Sequence, residues 1–161
     1  MIRFAHHAFA AFMLAAPLVT PMTASAAAHI NETGGVTIES AHDVATTVDR
    51  LVAAVEGAGS KVFARVDHAA GAANVDQDLR QTQILMFGYP KFGTPALQAA
   101  QTIGMDLPLC VVVWQDADDK TMVSYNDPAT MAARHGIAVD HPVIAKMTGA
   151  RATLTGKAAG L

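Results

Sequence analysis

Two apolar runs with no polar alternation, residues 83–87 (QILMF) and 107–114 (LPLCVVVW), constrain this chain more than any other feature. Each reads as a strand covered on both faces, or on one face by the rest of the chain and on the other by a second copy. The runs around them alternate instead. Residues 35–39 (GVTIE) set Val36 and Ile38 against polar neighbours, and 61–67 (KVFARVD) set Val62, Ala64 and Val66 on one face with Phe63 and Arg65 on the other. Residues 121–125 (TMVSY) follow the second apolar run across an acidic turn at 116–119, close enough to close a hairpin.

Helical spacing fills the gaps between these strands. Ser40 offers an N-cap oxygen with Asp43 three residues on, and Val44, Val48, Leu51, Val52 and Val55 then form one apolar stripe that Gly57 and Gly59 end. Residues 68–73 (HAAGAA) read as a short helix or loop. In the turn 88–95 (GYPKFGTP), Thr94 is a ready N-cap and Pro95 fits the first helical position, so a helix is expected from there to about Ile103. Asn126 or Asp127 caps a helix that begins at Pro128 and stops before Gly136. Pro142 opens another, with Val143, Ile144 and Met147 at apolar spacing before a polar, glycine-containing end. Strands and helices in this order predict a single small α+β domain, a mostly antiparallel sheet with helices packed on one face.

The N-terminus reads separately. Arg3 gives a short positive start, 9–19 an apolar run, and Ala24-Ser25-Ala26 a small-residue cleavage site, which is the order of a secretory signal peptide. The run is shorter than the ~20 residues that span a bilayer, and Pro17 and Pro21 interrupt a helix there; an uncleaved anchor is the competing reading. Residues 1–26 are therefore expected to be a leader, with Ala28 an equally acceptable cleavage point, 27–34 a flexible lead-in and 35–155 the folded domain, located in the periplasm. Removing 1–26 takes away Arg3 and no acidic residue, so Lys+Arg falls from 11 to 10 against 14 Asp+Glu and the formal charge moves from −3 to −4. A mildly acidic domain without a basic cluster is not expected to bind nucleic acid, nor to insert into a membrane once the leader is gone. The one cysteine, Cys110, excludes an internal disulfide.

The segments VFARVDHAAGA (62–72), MFGYPKFGTPAL (86–97), DLPLCVVVWQD (106–116) and VSYNDPATMAARHG (123–136), with the lead helix SAHDVATTVDRL (40–51), together resemble the DUF302 family of small bacterial and archaeal domains, also called TT1751-like. The resemblance implies an α+β fold over nearly all of the chain after the leader, and it brings no established activity. One departure stands out: the family's usual Gly-Asn-Pro turn is Gly88-Tyr89-Pro90 here.

Chemistry must then come from single residues. The histidines after the leader, His29, His42, His68, His135 and His141, form no H-x-H, H-E-x-x-H or Cys/His pair, so no metal site is expected. His68, beside Asp67 at a strand end, is a candidate general acid/base; the plainer alternative is a backbone hydrogen bond there. His135 at a helix end is a second contributor, or simply a cation favoured at a helix C-terminus. Lys91, with the amides around Gly93 and Thr94 at the expected helix start, could hold an anion, against the alternative of an ordinary capped turn. Tyr125 and Trp114, on neighbouring strands, could stack on a flat ligand or fill the core. Cys110 reads as buried and inert, and Met86, Met105, Met122, Met131 and Met147 as core filling. The cofactor stays unassigned: C-x-x-C-H is absent, and non-covalent haem could be held through His68 or His135 with no motif behind it.

Two functions follow as expectations. The first is a periplasmic binding or accessory module holding a small anionic or flat ligand with His68, Lys91, Thr94, Tyr125 and His135. The alternative is a small enzyme using His68 as acid/base while Lys91 holds a substrate anion. A homodimer is also expected, because the two apolar runs exceed what the helices cover.

Overall fold

The computed structural model describes residues 28–161, so the expected leader, 1–26, lies outside the described residues. Six strands make one sheet: β1 (His29–Ile30), β2 (Gly35–Glu39), β3 (Lys61–Asp67), β4 (Thr82–Gly88), β5 (Leu109–Gln115) and β6 (Thr121–Asn126), in the spatial order β1-β2-β6-β5-β4-β3. Every neighbouring pair is antiparallel. The helices are α1 (Val44–Gly57), α2 (His68–Ala73), α3 (Pro90–Ala99), α4 (Pro128–Arg134) and α5 (Pro142–Ala159), with a 3-10 turn over Gln101–Met105 after α3. The fold is a single α+β domain.

The two apolar runs become β4 and the body of β5, side by side inside the sheet. Their alternate residues Leu85, Val111 and Val113, with Val123 of β6, are 0% exposed and pack against Val48, Leu51 and Val55 of α1 and Leu154 and Ala158 of α5. The other face carries Ile84, Met86, Cys110, Val112, Trp114 and Met122, all half-buried. Cross-strand pairing sets Ile84 opposite Val112, Met86 opposite Cys110 and Trp114 opposite Met122, so these side chains form one continuous patch.

Strand β3 departs from simple alternation. A register shift between Val62 and Ala64 interrupts its pairing with β4. Val62 packs into the helix-covered core, and Arg65 reaches Asp49 of α1 at 2.6 Å from the same side. Ala64 and Val66, expected to share a face with Val62, therefore lie on the opposite one. A bulge of this kind turns the residues after it over.

Local hydrogen bonding moves three boundaries. The cap of α1 is Asp43, whose carboxylate accepts the Thr46 amide at 2.7 Å, while Ser40 instead meets Thr47 in a buried hydroxyl pair at 2.7 Å. Segment 27–34, read as a flexible lead-in, contains β1, because the Asn31 side-chain oxygen accepts the amides of Thr33 at 3.1 Å and Gly35 at 2.7 Å and folds the chain back on β2. At the other end α5 continues past residue 155: Ala158 and Ala159 are 0% exposed. Arg50 of α1 donates to the Ala158 and Lys157 carbonyls at 3.1 and 2.8 Å, and Gly160 closes the helix at φ 84°.

Two measurements check this packing. Leu85→Ala should cost about 3 kcal/mol of unfolding free energy, whereas Val66→Ala on the other face should cost less than about 1 kcal/mol. Asp43 is held below the usual carboxylate range, first by the Thr46 backbone hydrogen bond and then by the Thr46 hydroxyl. A depressed acid contributes stability that is present above its unfolded pKa and lost as pH falls through the folded one. Asp43→Asn, which keeps the cap, should therefore unfold more easily than wild type at neutral pH and at the same denaturant concentration in acid.

Candidate functional site

The end of the sheet where β4 runs into α3 is hollow. A cavity of about 550 Å³ opens there between the strand ends, α3 and α5. Its floor is Phe87 and Leu109, with Met147 and Leu154 from α5. Tyr89, Phe92 and Leu97 of the α3 segment form one wall and Leu107 and Pro108 the other, while Phe63 stands at the rim, 53% exposed. Gly88 makes room for that ring, since a Cβ there would lie 3.0 Å from the Phe63 ring edge.

The α3 helix starts earlier than its sequence suggests. Pro90, not Pro95, takes the first position, preceded by Tyr89 in extended backbone, and Pro95 lies inside the helix. Tyr89-Pro90 carries the same proline signal as Thr94-Pro95, because proline presets the helical φ and disfavours helix in the residue before it. Consequently the Gly93 amide is spent on the Tyr89 carbonyl at 3.0 Å, and Thr94 sits within the helix rather than at a free N-terminus. The anion cradle expected from these amides is absent. Tyr89 also makes no side-chain cap. Its ring instead meets Phe92 edge-on, centroids 5.2 Å apart.

Among the described residues one charged side chain lines this cavity, and it belongs to α5. Arg151 follows Met147 and precedes Leu154 and Ala158 on the buried stripe of the helix, at 1% exposure. Its Nη1 donates to the Asn126 carbonyl at the end of β6, and its Nη2 to the Cys110 carbonyl of β5 at 3.4 Å. The guanidinium lies over the Tyr125 ring at 5.2 Å and against the Met131 sulfur at 3.8 Å. Among the described residues Nε has no partner and no carboxylate lies within salt-bridge distance. Burial lowers its pKa to about 10, so it remains charged at neutral pH.

The expected site residues divide over the molecule. Thr94 lines the cavity, and Tyr125 lies beneath Arg151 at the same end. Lys91 is exposed, with its Nζ over the Tyr89 ring at 5.8 Å, and it is not among the residues that line the cavity. His68 is remote: Lys61 pairs with Gly88, but Asp67 pairs with Gln83 at the other end of β3. That separates His68 from the cavity by about 20 Å at ~3.3 Å per residue. His135 makes a structural tie, with Nε2 2.8 Å from Asp106 and Nδ1 3.1 Å from Thr102, joining the end of α4 to the 3-10 turn. Trp114 donates to Ser124 at 2.9 Å on the far face of the sheet, so it shares no ligand with Tyr125. Cys110 is half-buried rather than buried, and burial pushes its thiol up while Arg151 pulls it down. Among the described residues no three His, Cys, Asp or Glu side chains gather as metal ligands. Sequence reading missed Arg151, although the spacing 147-151-154-158 places it on the core stripe of its helix.

Comparison with known proteins sets this architecture in context. A crystal structure of an uncharacterized conserved DUF302 protein from Bacillus stearothermophilus has the same fold, with a TM-score of 0.68 at 17% identity over 78% of this chain and 98% of that one. The chain is 42% identical over 135 residues to a Brucella suis protein named fluoride-specific ion channel FluC 1, covering 83% of this chain and 53% of that protein. It matches FluC 1 of Brucella abortus and FluC 2 of Brucella melitensis at 42% as well, over 50% of each. The chain thus spans about half the length of these relatives. With a family model described as a domain of unknown function matching residues 36–154, the chain belongs to the DUF302 family.

Proposed function

We propose that this domain is an exported, periplasmic binding or accessory module whose cavity at the β4–α3 end holds a small, largely apolar ligand. The cavity carries the reading: about 550 Å³, walled by aromatic and aliphatic side chains at the end of a rigid sheet, it has the size and lining of small-ligand sites. Tyr89 adds support. It occupies an N-cap position, where asparagine would contribute about 1 kcal/mol, yet it makes no cap and supplies cavity wall instead.

The relatives support the accessory half of the proposal. An ion channel crosses a membrane, and no helix among the described residues is long and apolar enough to do so. The half of those proteins that resembles this chain then reads as a module attached to the channel. The alternative of His68 acid/base catalysis with Lys91 gains no support from their separation. The patch of Ile84, Met86, Val112, Trp114 and Met122 supports pairing of two copies through that face; a dimer mass by light scattering is expected, and a monomer mass removes that reading.

Ligand binding is tested with the neutral dye N-phenyl-1-naphthylamine on the mature domain. Fluorescence should rise with one dye per chain, and Tyr89→Asn should weaken binding about tenfold, or ~1.4 kcal/mol. Its stability should change by less than about 1 kcal/mol, because the cap that asparagine adds offsets the ring packing that tyrosine gives up. A dye that stays dark against folded protein would discard the site. Export is tested by the mass of the periplasmic protein, expected to begin at Ala27 or His29; an intact Met1 would discard the leader.

A further inference from the structure

Arg151 is costly where it stands. Its carbonyl partners accept hydrogen bonds without neutralising it, and a guanidinium has five N–H donors to satisfy. The carboxylates that act on it from beyond bonding distance, Asp127 and Asp106, are committed elsewhere: Asp127 accepts the Thr130 amide at 3.0 Å, and Asp106 pairs with Arg134 at 3.3 Å and His135 at 2.8 Å. The other groups facing it, Tyr125 and Cys110, bring no carboxylate. A buried cation without a counter-ion is normally removed by evolution or matched by an anion. Arg151 is 1% exposed and is one of the residues that line the cavity.

We propose that the cavity takes apolar monocarboxylates, with the carboxylate set against the Arg151 guanidinium and the hydrocarbon part along Phe87, Phe92, Leu109 and Leu154. Guanidinium and carboxylate match in shape and form paired charge-assisted bonds. The rest of the lining offers no second cation among the described residues, so one negative charge is balanced and two are not. Inorganic anions would satisfy Arg151 but leave the apolar walls empty.

This inference rests on the cavity being a ligand site, and the test separates the two. Decanoate, decanol and inorganic phosphate are titrated at neutral pH against dye-loaded mature domain. Decanoate should displace the dye at a concentration about tenfold below decanol, equivalent to ~1.4 kcal/mol, and phosphate should not displace it. Arg151→Met should bring decanoate to the level of decanol. Should that variant fail to fold, Arg151→Lys, which keeps the charge, is expected to retain a preference for decanoate, and the wild-type comparison decides alone. Equal displacement by decanoate and decanol would make Arg151 a structural pin and overturn the inference while leaving the cavity reading intact. Displacement by phosphate would replace the apolar carboxylate with a simple anion. Failure of the dye to bind at all would remove both readings.

Discussion

The fold closes around one buried guanidinium. Arg151 occupies a position where helix periodicity demands an apolar residue, yet from α5 it reaches strands β5 and β6 and helix α4 together. Its partners are main-chain carbonyls near strand ends, where the sheet stops. The Tyr125 ring beneath it supplies a negative π face, which partly offsets desolvation without cancelling charge. Burial nevertheless lowers the pKa to about 10, the physical record of a cation short of a counter-ion. Position, pairing and residual charge all place that cost beside a cavity.

The cavity itself follows from how β4 becomes α3. Proline at position 90 starts the helix directly off the strand, so Tyr89 and Phe92 swing over the sheet end as a wall. On the opposite side, the His135–Asp106–Thr102 tie holds the 3-10 turn against α4 and fixes the approach of Leu107 and Pro108. His135, expected as a ligand contact, thus acts as a brace, and the surface it braces is apolar. A second hollow of about 500 Å³ shares Tyr89, Phe92 and Leu154 with the first, so the aromatic pair is a partition between two spaces.

The fold was largely legible in the sequence and the site largely was not. Apolar periodicity located β2 to β6, α1 and the start of α5, because burial of one face dominates those segments, while cap and proline signals located α4. It failed where hydrogen bonds rather than burial decide: the Asp43 cap, the Asn31 turn that makes β1, and the β3 bulge that turns Val66 away from Val62. Thr94 and Tyr125 do stand at the hollow end of the sheet, but for reasons of packing. Histidine drew attention by chemical reputation, while Arg151, in a stretch of alanine, glycine and threonine, carried no motif. Its signal was positional, a cation on the buried stripe of a helix, and that becomes visible only once α5 is followed to its full length.

The central claim is that Arg151 meets a ligand through the cavity rather than serving only as a pin. The most direct measurement is the arginine side-chain Nε–H resonance of Arg151 in heteronuclear NMR spectra, followed while a carboxylate amphiphile and then its alcohol are added. The account predicts a slowly exchanging Nε–H that moves on adding the carboxylate and stays in place with the alcohol, while signals of Phe92 and Leu154 move with both. A resonance that ignores the carboxylate while the cavity signals shift would contradict it.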